Sequence, residues 1–140
     1  MDGREVVDAY DLSGIVKLGR SHKPPPSGAV PDVCPAEPVV GSGLTVHDVQ
    51  YIVNRRLNEL RFCYQLGLAK SARLAGSMTV RFVVTKQGKN KRPHVLSATL
   101  NEEGLSRCVL AALQRWTFPR LLDQSEVTVT QELTFVPAAP

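Results

Sequence analysis

The chain has no run of about eighteen apolar residues, so no stretch of it reads as a membrane-spanning helix. Its start, Met1-Asp2-Gly3-Arg4-Glu5, has neither the basic lead nor the apolar run of a secretory signal. Two expectations follow: a cytosolic protein, or a piece of a longer one whose targeting segment lies upstream. Only three cysteines are present (Cys34, Cys63, Cys108), with no CxxC and no paired histidines, which fits no zinc spacing. The three histidines, His22, His47 and His94, are scattered over different segments. No phosphate-cradling glycine loop, Ser/His/Asp arrangement or facing pair of inward carboxylates occurs. Cys34, beside Pro35, has no histidine placed near it to activate a nucleophile and reads as a free or intermolecularly paired thiol. The expectation is a domain without catalysis, metal or cofactor.

What is present is enough for one core. At 140 residues the chain suits one domain, and 43% hydrophobic against 21% charged residues is near the globular average. Six of the ten prolines (Pro24, Pro25, Pro26, Pro31, Pro35, Pro38) fall between Ser21 and Val40. That composition favours extended polyproline II chain and reads as a semi-rigid tether. An ordered loop wrapped on the domain is the alternative. Residues 1–43 are therefore read as an N-terminal extension and proline-rich linker, and 44–137 as the folded domain. Within the extension, Ile15-Val16-Lys17-Leu18 is a short candidate strand whose role is open. Charge follows the same division. Four basic and six acidic residues precede Thr45, against thirteen basic and seven acidic from there on, so the domain carries +6. Such a balance favours acidic partners of any kind.

Thr45 is a good N-cap, with Asp48 three residues on to complement the helix dipole. The stripe Val46, Val49, Ile52, Val53, Leu57, Leu60, Cys63, Tyr64 predicts one amphipathic helix running to about Lys70. Met78, Val80, Phe82 and Val84 alternate with polar residues as a strand does. Lys86 to Asn90 is a turn with Gly88 available for positive φ, and a second strand is expected from about His94 to Leu100, with Pro93 at its start. Asn101 is a candidate cap for a second helix, striped by Leu105, Cys108, Val109, Ala112, Leu113 and Trp116 and ended by Pro119. From Ser125 to Phe135 the chain alternates again. Val127, Val129, Leu133 and Phe135 point inward, with Gln131 the one polar residue on that register. The order helix, strand, strand, helix, strand predicts an α+β fold, two helices packed on a small antiparallel sheet.

Two sets of residues are candidates for binding. Lys86, Lys89, Lys91 and Arg92 form a basic cluster at the hairpin tip, read either as a solvated turn or as a contact for a partner or anionic surface. The outward row Thr128, Thr130, Glu132, Thr134 lies on the last strand. If that strand is a sheet edge, a partner could add a strand along it; the linker or a second copy could equally cover it. Cys63 and Cys108 lie on the inward stripes of the two helices. They are compatible with a disulfide or with two reduced, buried cysteines acting as small hydrophobes.

The segments Leu60-Arg61-Phe62-Cys63-Tyr64, Gly76-Ser77-Met78-Thr79-Val80-Arg81-Phe82, Cys108-Val109 and Arg115-Trp116-Thr117-Phe118-Pro119, with the turn at Gly88, resemble the TonB C-terminal fold. More closely they resemble the AgmX/PglI C-terminal domain family of bacterial gliding-motility machinery. The resemblance covers about Leu44 to Pro137. The paired cysteines and the Trp-x-Phe-Pro ending are its specific part. The turn Lys-Gln-Gly-Lys-Asn and the helix start Asn-Glu-Glu-Gly depart from the family pattern.

The resemblance implies a disulfide between Cys63 and Cys108 and a periplasmic domain tethered to an inner-membrane segment upstream. It implies a protein partner in the outer membrane or periplasm, and coupling through that segment to inner-membrane motor components. The function expected is a protein–protein interaction module in an envelope-spanning, force- or energy-transducing complex of the gliding type, contacting its partner by edge-strand addition. The alternatives are a small basic nucleic-acid-binding domain, which the lack of aromatics near the basic cluster disfavours, and a self-associating structural domain that forms a homodimer.

Overall fold

The computed structural model describes residues 30–122 and 126–138. Its elements in chain order are β1 (Asp32–Pro35), β2 (Val39–Val40), α1 (Val46–Arg55), α2 (Leu57–Lys70), β3 (Gly76–Thr85), β4 (Asn90–Ala98), α3 (Glu103–Arg115) and β5 (Glu126–Val136). The strand considered at Ile15–Leu18 lies outside the described residues.

The sheet is antiparallel, in the order β1-β5-β3-β4, with β2 also paired to β5. Its centre is the β3–β5 ladder, ten pairs without a register shift from Gly76↔Phe135 to Thr85↔Glu126. The period of two sends Met78, Val80, Phe82 and Val84 to one face together with Val127, Val129, Leu133 and Phe135. The helices cover that face with Leu57, Leu60, Tyr64, Leu105, Val109, Leu113 and Trp116, so the predicted α+β packing is the one observed. Two aromatic contacts tie the layers: Tyr64 meets Phe135 edge-on at 5.2 Å, and Phe82 meets Phe118 at 5.6 Å. The Tyr64 hydroxyl donates to the Leu74 carbonyl at 2.6 Å, which gives the buried phenol its partner, and burial raises its pKa to about 12.

The helix expected from Thr45 to Lys70 is two helices. Its start is as predicted: Thr45 and Asp48 form a reciprocal capping box. The break falls at Arg56, whose amide is shared between the Ile52 and Val53 carbonyls while the Glu59 amide turns back to the Arg56 carbonyl. Neither glycine nor proline marks the place. The stripe survives the break, and Val49, Val53, Leu57, Leu60, Cys63 and Tyr64 are all buried.

Three further boundaries differ from expectation. The cap of α3 is Glu102, not Asn101: its carboxylate accepts from the Leu105 amide at 2.8 Å, which takes up a donor left free in the first turn. β4 begins at Asn90 and carries Pro93 in its interior. The register shifts twice against β3, and Arg92 takes a φ of 52°, so proline sits where the ladder is already interrupted. Finally, the boundary at residues 43/44 put Asp32–Val40 in the tether, yet Asp32–Pro35 and Val39–Val40 are strands of the sheet. Their side chains explain why: Val33, Cys34 and Pro38 are buried, so this stretch has an apolar side that bare spacer would lack.

Candidate partner interface

Of the two readings of the last strand, a free edge or one covered by the linker, the structure shows the covered one. β5 lies inside the sheet, with β3 on one side and β1 and β2 on the other. Asp32, Val33, Cys34 and Pro35 pair with Val136, Phe135, Thr134 and Leu133, and Val39 and Val40 pair with Thr130 and Val129. The proline-rich segment thus straps the edge proposed for a partner. The Ala36 amide donates to the Glu132 carbonyl and the Gly41 amide to the Thr128 carbonyl, both at 3.0 Å. Main-chain groups alternate in direction along an antiparallel strand. Those of Thr128, Thr130, Glu132 and Thr134 therefore all face the strap, while their side chains lie on the face opposite the helices.

Between β1 and β2 the strap holds one residue more than β5, a bulge around Glu37 and Pro38. Gln131, the inward polar residue of β5, fills this gap. Its side-chain amide donates to the Ala36 carbonyl at 2.7 Å and to the Glu132 carbonyl at 2.8 Å. At the other end the Arg61 guanidinium of α2 meets Asp32 at 2.7 Å, a partly buried ion pair holding β1 against the helix layer.

The opposite edge of the sheet is β4. Its two bulges, Pro93 and the left-handed Arg92 break the regular row of donors and acceptors that a new strand would need. Of the basic cluster on this hairpin, Lys91 is committed to an ion pair with Glu126, and that bond holds the glutamate's pKa below its ordinary value. Lys86 and Lys89 are exposed. The loop after α3 comes alongside them, with Leu121 donating to the Lys86 carbonyl at 3.0 Å, so the exposed Arg120 joins the basic end. Sequence reasoning missed Arg120, whose proximity depends on the loop's docking.

Cys63 and Cys108 form a disulfide, with Cα atoms 5.6 Å apart, between α2 and α3. They floor an open groove lined by Phe62, Ala111 and Arg115. Cys34 is free and only 5% exposed on β1. Burial first, then the Asp32 carboxylate, push its thiol up to about 11, the opposite of what a nucleophile needs. Among the described residues no group of three or more His, Cys, Asp or Glu could hold a metal ion, and no helix is long and apolar enough to cross a membrane.

The family model for the C-terminal domain of the Gram-negative bacterial TonB protein matches residues 68–137, half of the chain. The chain belongs to the TonB C-terminal family. The matched stretch holds the end of α2 together with β3, β4, α3 and β5; the strap and α1 precede it. Domains of this family are periplasmic, non-enzymatic protein-interaction modules. No curated protein and no solved structure gives a significant match to the chain.

Proposed function

We propose that this TonB-like domain is the partner-binding end of an envelope-spanning complex that transmits force or energy, of the AgmX/PglI gliding type. An upstream inner-membrane segment links it to motor components. Its partner is a periplasmic or outer-membrane protein that contributes an extended segment. The contact is strand addition along β5, through the main chain of Thr128, Thr130, Glu132 and Thr134. Lys86 and Lys89 assist an acidic partner nearby.

One observation carries this reading. β5 keeps a shift-free ladder with β3 on its inner side, and its outer side is covered by a short, bulged stretch of the tether, six of whose residues lie in paired register. A nucleic-acid role is less well supported, since the ion pair with Glu126 removes Lys91 from the basic cluster.

The test is site-specific photo-crosslinking in the native cell, with the photoreactive residue at Thr130 of the full-length protein. A crosslink to an outer-membrane or periplasmic protein, weakened when the motor is inactivated, is expected. Crosslinks confined to cytosolic proteins or nucleic acid would overturn the reading.

A further inference from the structure

The strap raises a question that strand addition alone leaves open: the edge is already taken. We propose that the Pro-rich strap is a displaceable self-ligand, and that the partner's extended segment enters by exchanging with it. This rests on the strand-addition reading and goes beyond it by naming what must leave.

The strap is built to be weaker than the ladder beneath it. Six residues pair with β5, in runs of four and two separated by the bulge. Pro31 and Pro35 fall at positions whose main chain faces away from β5, where a missing donor costs the ladder nothing. The weak point of the strap is the bulge around Glu37 and Pro38, where the row of bonds is interrupted between Ala36 and Val39. The bulge is bridged by one side chain, Gln131, whose other polar atom, Oε1, is buried without a partner. The outer end hangs on the Asp32–Arg61 pair.

The strap nevertheless has real affinity for its site, because Val33 is fully buried and Cys34 nearly so. A partner strand must offer two things in return: an unbroken row of donors along Thr128 to Thr134, and a small apolar residue for the Val33 pocket. The chemistry that fits is an extended segment that pairs in continuous register, with an aliphatic residue near one end. Because the strap is also the start of the tether, any pull on the chain upstream of Val30 loads the strap bonds before it loads the core.

A self-ligand lowers the apparent affinity of its competitor by the fraction of molecules in which the edge is open. The probe is a fluorescent synthetic peptide copying residues 30–42, with serine at its cysteine position, titrated into the full chain. Gln131→Leu removes the bridge and keeps the bulk; Ala36→Pro removes the bond to Glu132. Thr134→Cys places a thiol directly opposite Cys34, within disulfide reach of an antiparallel pair. The pairing is confirmed by peptide mapping with Cys63–Cys108 intact. The unlocked control carries Thr134→Cys with Cys34→Ser.

The expected result is weak binding to the parent, about tenfold tighter binding to Gln131→Leu and Ala36→Pro, and none to the locked form, with the unlocked control like the parent. Equal binding to parent and locked forms would overturn the proposal, as would no binding to any of them.

Photo-crosslinking at Thr130 separates this failure from that of the underlying reading. If the partner crosslinks to parent and locked forms alike, the strap stays in place and only the exchange fails. If none of the variants crosslinks, strand addition itself fails, and the peptide titration still judges the strap.

Discussion

Gln131 of β5 donates its side-chain amide to the carbonyl of Ala36 at 2.7 Å, across 95 residues of sequence. Beside the main-chain bond from the Ala36 amide to the Glu132 carbonyl, it ties the proline-rich segment to the sheet at the point where their registers disagree. A buried acceptor left without its donor costs roughly 1–3 kcal/mol, less where water can reach it. Gln131→Leu is expected to lower global stability by only about 1 kcal/mol. Hydrogen exchange should show the larger effect: faster exchange at the Ala36 and Gly41 amides, with the β3–β5 ladder unchanged. Equal acceleration along β3 would mean that the strap and core open together.

The Cys63–Cys108 disulfide closes a separation of 45 residues between α2 and α3. In the chain-entropy view a loop of that size is worth about 4 kcal/mol. The double variant Cys63→Ala/Cys108→Ala should lose roughly 3–4 kcal/mol by urea denaturation. Trp116, whose Nε1 donates to Glu59 at 2.9 Å across the same two helices, reports whether they still pack in the variant. Native-like tryptophan fluorescence with lowered stability is the expected pair of results. A loss below about 1 kcal/mol would show that packing alone sets the helix pair.

The sheet and helices were legible because their residues obey a local period. Met78 to Val84 and Val127 to Phe135 alternate as strands must, and Leu105 to Trp116 steps as a helix must. The strap was legible only as an alternative, a loop wrapped on the domain or a linker covering the last strand, because its pairing is decided by residues nearly a hundred positions away and its prolines imitate a spacer. Two local signs pointed to it: Val33 and Cys34 form an apolar pair too sticky for solvent, and Gln131 breaks an otherwise apolar row. Whether the last strand was a free edge or a covered one stayed open for the same reason. The alternation of β5 showed which way its side chains point and said nothing of what lay beside its main chain. The break at Arg56 had no signal, since Arg55-Arg56-Leu57 are all good helix formers.

Gly88 shows how a turn residue can serve two needs. Its φ of 88° suits glycine, as the sequence suggests. In addition, a Cβ there would lie 2.0 Å from the Phe118 carbonyl oxygen. That carbonyl cannot retreat freely, because the Phe118 amide donates to the Gly88 carbonyl at 2.7 Å. Gly88→Ala should cost at least about 2 kcal/mol. Gly88→Asn separates the two causes, because asparagine tolerates positive φ but still carries a Cβ. If Asn restores stability, conformation alone was the cause; the close approach predicts that it stays destabilised.

Cys34 makes the strap sensitive to alkali. Its thiol is held neutral in the folded state, with a pKa pushed from 9.0 to about 11 by burial and by Asp32. In the unfolded chain the thiol ionises first, so the unfolded state gains as pH rises above the unfolded value. The stabilisation is complete below about pH 9 and is lost as the pH climbs toward 11. Tyr64, raised from 10.0 to about 12, adds a loss of the same sign one unit higher. Between pH 8 and 10 the decline therefore belongs mainly to Cys34, and Cys34→Ala should flatten it, by on the order of 1 kcal/mol at pH 10. Reversible urea denaturation at pH 8, 9 and 10 measures this, with Tyr64→Phe as the control that alters only the upper end. An unchanged slope in Cys34→Ala would mean that the thiol already reaches water, and with it that the strap is open in solution.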